Sequence, residues 1–161
     1  MHSSIIELSH KSVPASQRAR AGHLPDWFYE QVCDYAENPG PVQREEMMEQ
    51  FSAQLGDSCI RSGERLTIFP QIREVYFRKS YSQFQAAAEA LAQTDYAAFS
   101  GQRTNSALSS VLDKLNSSYE NKRGVYIYLN ESDELVALDR WLRTADFSKP
   151  FYIGGTVSYH C

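Results

Sequence analysis

The hydrophobic period of this chain changes at Gly124, and that change limits what it can fold into. Before it, Leu108, Val111, Leu112, Leu115 and Tyr119 recur at intervals of three and four, the spacing of one helical face. The spacing predicts a helix over 104–122. Thr104 is placed to cap its N-terminus, Lys122 and Arg123 complement its negative end, and Gly124 suits a left-handed cap. After Gly124 the run Val125–Leu129 is β-branched and aromatic, Asn130–Asp133 is turn-forming, and Leu135–Leu138 is again apolar. This reads as a β-hairpin, although 131–143 also reads as a single helix. A short helix from Asp139, with Trp141 and Leu142 inward, fits either reading. Phe151–Tyr159 reads as a terminal strand, in which Gly154-Gly155 marks a bulge or a close backbone approach. The expected class is α+β: several amphipathic helices followed by a small C-terminal antiparallel sheet holding 125–129 and 151–159.

Upstream, residues 3–8 read as a short edge strand and 9–23 as a polar extended arm or mobile segment. Pro25 and Asp26 open a helix with Phe28, Val32 and Tyr35 on one stripe and Trp27 beside it, stopped by Asn38-Pro39-Gly40. Pro41 opens the next helix, with Met47, Met48, Phe51 and Leu55 inward and Gly56 as its terminal glycine. Residues 65–69 read as a strand, and 71–93 as one long helix or two broken near Ser80. With 161 residues and no internal repeat, the chain is expected to form one domain over 1–161, with 1–23 as its arm.

The net charge of −4 is unevenly spread, and 24–57 holds eight carboxylates against Arg44 alone. Such a block argues against general nucleic-acid binding, which needs a basic face that displaces counterions from phosphates. Asp34, Glu37, Glu45, Glu46 and Glu49 are the candidate contacts for a basic partner; a merely solvated acidic face is the competing reading. Arg73, Arg78 and Lys79 interleave with aromatic residues; together with the basic N-terminal arm they read as the contacts of a nucleic-acid-binding accessory protein, or else as a solvated rim.

Catalytic signatures are missing: the sequence has no GxSxG elbow, no HExxH, no deaminase HxE…PCxxC and no phosphate-cradling loop. Cys33 reads as a small core residue and Cys59 as structural, while His160 and Cys161 adjoin at the chain end. His2, His10 and His23 read as solvated or partner-facing. No catalytic residue, metal ligand or cofactor is therefore expected; a small hydrolase or transferase of unfamiliar type is the alternative reading. No apolar run reaches the ~18–20 residues that span a bilayer, and the start lacks a signal-peptide pattern, so no membrane contact is expected. Three widely spaced cysteines signal no disulfide framework, which suits a reducing cytoplasm.

His23-Leu24-Pro25-Asp26-Trp27-Phe28-Tyr29-Glu30 and Phe151-Tyr152-Ile153-Gly154-Gly155-Thr156 resemble segments of small accessory proteins of bacterial mobile elements, a group that includes anti-CRISPR and antirestriction inhibitors. The resemblance covers about a fifth of the chain and transfers no functional residue. It implies a non-enzymatic protein-binding inhibitor of a larger bacterial machine such as a CRISPR nuclease, acting by occlusion or conformational trapping. Taken with the acidic 24–57 block, the expected partner is a larger, basic bacterial protein or nucleoprotein.

Overall fold

A computed structural model describes residues 2–104 and 106–161. The chain forms two compact units. One runs up to Arg73 and resumes from Lys122 to Cys161; the other is Glu74–Asn121.

The first unit is a mixed seven-stranded sheet with helices. Its elements are β1 (His2–Ser9), α1 (Asp26–Gln31), β2 (Tyr35–Glu37), α2 (Pro41–Leu55), β3 (Cys59–Ser62) and β4 (Arg65–Ile68). They continue with α3 (Ile72–Tyr76, which runs across the boundary), β5 (Tyr126–Leu129), β6 (Glu134–Ala137), α7 (Leu138–Thr144) and β7 (Phe151–His160). The strand order is β3-β4-β7-β1-β5-β6, and β2 also pairs with β7. The sheet is thus not confined to the C-terminal part of the sequence, as expected from the period change; its strands come from the whole length of this unit. The hairpin 126–137 and the strand 151–160 do form, but they are not neighbours. β1 lies between them, antiparallel to β7 and parallel to β5.

β1 is therefore a central strand, not an edge. Ile5, Ile6 and Leu8 are all buried, so both of its faces are covered, which is why its sequence does not alternate. One face carries a core of Ile5, Tyr126, Tyr128, Val157 and Tyr159 under Leu24, Phe28 and Cys33. Phe28 is the hub: it meets Tyr126 and Tyr159 edge-on at ring separations of 5.0 Å each. α1 has only six residues, and the expected stripe stops at Phe28. Tyr35 leaves the helix for β2, where pairing with His160 takes up its backbone, and its ring stays exposed. Cys33 is buried as expected, just beyond the helix.

α2 matches its sequence closely. Pro41 occupies its first turn, Gly56 ends it at φ 63°, and Met47, Met48, Phe51 and Leu55 are all buried. The 9–23 segment is not a loose arm: Val13 and Ala19 are buried, and Ala19 is tied to the centre of the sheet. There Glu7, 1% exposed, accepts hydrogen bonds from the Ala19 N–H (2.8 Å), the Gly155 N–H (2.5 Å) and the Asn130 side-chain amide (2.6 Å). The β1–β7 register shifts between Ile6 and Leu8, opposite Gly154-Gly155. The glycine pair is a bulge and a close approach at once, because a Cβ on Gly154 would lie 2.3 Å from Glu7 Oε2 and one on Gly155 2.1 Å from the Ala19 carbonyl.

The second unit is helical: α4 (Arg78–Ala92), α5 (Tyr96–Phe99) and α6 (Ser106–Tyr119), with α4 packed on α6. The 71–93 stretch is two helices, as the second reading had it, with the break at Phe77. On α6, Leu108, Val111 and Leu115 are half-buried, but Leu112, expected in the core, is 45% exposed. One opposing helix covers a narrower stripe than a full core would, so the position flanking the stripe faces solvent. The cap expected at Thr104 adjoins Asn105, which lies outside the described residues.

Candidate functional site

A cleft of about 440 Å³ opens between α2 and the sheet. Its sheet side is a polar row. Ser158 of β7 is in register with Glu37 of β2 on one side and with Ser4 of β1 on the other. Its helix side carries Gln43, Glu46, Gln50 and Gln54, which recur at three and four along α2, beside the buried Met47 and Phe51. A helix–sheet contact is ordinarily apolar throughout. Here the apolar seam is flanked by amides, hydroxyls and two carboxylates, which leaves a water-accessible slot with acceptors on both walls.

Two of the five acidic candidates, Glu37 and Glu46, line this cleft from separate elements. Neither has an ion-pair partner among the described residues. The other three are placed differently. Glu45 pairs with Arg61 of β3 at 2.5 Å, and that hydrogen bond holds its carboxyl below the usual range. Asp34 lies 3.6 Å from the His160 ring and is largely exposed, while Glu49 is exposed outside the cleft. Arg44, the one cation within the acidic block, turns inward: it pairs with Glu64 at 3.0 Å and donates to the Gly154 carbonyl at 2.7 Å. Glu64 also holds Arg18 at 2.5 Å. Arg44 thus satisfies β7 where neither β4 nor β2 reaches it, and it leaves the acidity of the cleft unneutralised.

The basic candidates divide between the two units. Arg73 donates to the Leu142 and Ala145 carbonyls at the end of α7, at 2.8 and 2.5 Å, and its guanidinium lies 4.7 Å over the Phe147 ring. Arg78 pairs with Glu74 at 2.8 Å on an exposed face, and Lys79 follows it on α4 of the second unit. The amide row Gln43, Gln50 and Gln54 was not singled out from sequence, although its spacing with Glu46 was available there. Which strand would face it was not.

No three His, Cys, Asp or Glu side chains among the described residues converge as metal ligands, and no helix of the described chain is long and apolar enough to cross a membrane. No family model, curated protein or solved structure matches the chain.

Proposed function

We propose that this chain is a non-enzymatic protein-binding module that inhibits a larger bacterial machine, such as a CRISPR effector or restriction nuclease, by occupying a basic surface on it. The observation that carries this reading is that Glu37 and Glu46 line one polar cleft without cations of their own. Two unpaired carboxylates among amides and hydroxyls suit a Lys or Arg side chain, whose hydrogen-bond donors they accept. The cleft offers a short anchoring site, and the surrounding acidic block steers a basic partner toward it. The nuclease target follows from the resemblance of 23–30 and 151–156 to mobile-element accessory proteins. With Arg73 committed to α7, a nucleic-acid-binding role would fall to Arg78 and Lys79.

The test is a phage plaque assay in cells carrying active CRISPR or restriction systems, with and without this chain expressed. Restored plaque formation against at least one system is expected. Unchanged protection across the panel, in cells where the folded chain is present, would overturn the inhibitor reading.

A further inference from the structure

A second cavity, of about 260 Å³, lies at the carboxyl ends of the parallel strands β1 and β5. At this end of the sheet the chain turns back from β5 into β6. The inner wall is apolar and aromatic: Leu8, Leu129, Trp141 and Phe151. His10 closes one side, stacked on Phe151 at 4.4 Å. The His10 Nδ1 lies 3.2 Å from the Pro150 carbonyl, which can only accept, so the Nδ1–H donates to it. Glu131 and Asp146 stand on the rim.

Both carboxylates are fixed by the fold. Glu131 Oε1 accepts from the Ser9 hydroxyl and the His10 N–H, each at 2.7 Å, and Asp146 Oδ1 accepts from the Ser148 N–H at 2.9 Å. Burial pushes the Glu131 carboxyl up, but its hydrogen bonds outweigh that and hold it below the usual range. The Ser148 hydrogen bonds, with the nearby Lys149 and His10, do the same for Asp146. Two ionised carboxylates over an aromatic wall are complementary to a positive charge on an apolar stem. A neutral ligand would leave the rim unused, and an anion would be repelled by it.

We propose that this cavity binds a small organic cation, a primary ammonium on a short alkyl chain, either as a free amine or as a lysine side chain of a partner. The stem lies against Trp141 and Phe151, and the ammonium meets Glu131 and Asp146. The site shares no lining residue with the α2 cleft and does not depend on the inhibitor reading.

The test is an NMR titration of the full chain with n-butylammonium, N-acetyl-lysine amide and n-butanol. n-Butylammonium is expected to shift the Trp141 indole and the His10 and Glu131 amides, with a Kd of about 1–10 mM, ordinary for so small a ligand. Glu131→Gln with Asp146→Asn keeps every acceptor named above and removes only the charge. That variant is expected to fold and to bind at least about tenfold more weakly. Tighter binding of the lysine amide assigns the site to a partner's side chain, and tighter binding of n-butylammonium assigns it to a free amine. No shift with either cation, equal shifts with n-butanol, or undiminished binding by the charge-neutral variant would each overturn the proposal.

Discussion

Replacing Glu7 with Leu tests what holds the first unit together. Glu7 is buried at the crossing of β1, β7, the 10–24 segment and the β5–β6 turn, and its carboxylate accepts from two backbone N–H groups and one side-chain amide. Leucine fills a similar volume but accepts nothing. The Ala19 and Gly155 N–H groups would then be buried without partners, each at a cost of about 1–3 kcal/mol, with a smaller loss at Asn130. The expected total is about 3–6 kcal/mol, a large share of a typical domain's stability. Glu7→Gln is the control. Its carbonyl can keep both backbone donors, and Asn130 can turn its own oxygen toward the new amide. Only the charge-assisted part is then lost, about 1–2 kcal/mol. Urea unfolding followed by tryptophan fluorescence reads the effect, because Trp27 and Trp141 both belong to this unit. A near-neutral Glu7→Leu, or a Glu7→Gln as damaging as Glu7→Leu, would refute the assigned role.

Gly155→Ala should destabilise by about 1–3 kcal/mol or more, since its Cβ meets the Ala19 backbone, which cannot swing aside as a side chain can; the urea midpoint checks this. In the helical unit, Leu112→Ala should change thermal stability, followed by far-UV circular dichroism, by less than about 1 kcal/mol, and the half-buried Leu115→Ala by more. At high pH, Tyr128 gives a signed expectation. Burial, and then its hydrogen bond to Asp133, push its phenol up to about 12 from 10.0. The folded state thus favours the neutral phenol. The contribution is complete below pH 10 and is lost as the pH rises toward about 12. Urea midpoints of the wild type should fall more steeply over that window than those of Tyr128→Phe.

Elements whose residues carry a local pattern were legible from sequence. α2 has a proline at its start, a glycine at its end and an apolar stripe between, and each of these did what its chemistry requires. The hairpin 126–137 was legible from its period and its turn. Sheet order was not, because a strand's neighbours are set by partners far along the chain. Ile5-Ile6-Glu7-Leu8 carries the signal of a strand buried on both faces, but Glu7 masks it, since a central carboxylate is tolerable only when distant donors meet it. The short α1 was overextended because Tyr35 fits a helical stripe, whereas pairing with His160 decides its conformation. Of the acidic candidates, the sequence could name the block but not which members share a cleft; that needed the β2–β7–β1 register.

The most direct test of the proposed role is charge reversal within the cleft, measured against the effector that the plaque assay identifies. Glu37→Lys with Glu46→Lys leaves the buried Met47, Met48, Phe51 and Leu55 untouched, so the fold should persist by circular dichroism. Glu30→Lys with Glu49→Lys, both exposed and outside the cleft, is the charge-matched control. The cleft double variant should bind at least about tenfold more weakly, about 1.4 kcal/mol, and show a weaker salt dependence of the association rate, while the control stays within about threefold of wild type. A folded double variant that binds and inhibits as well as the wild type at low and physiological salt would show that the cleft takes no part in partner recognition.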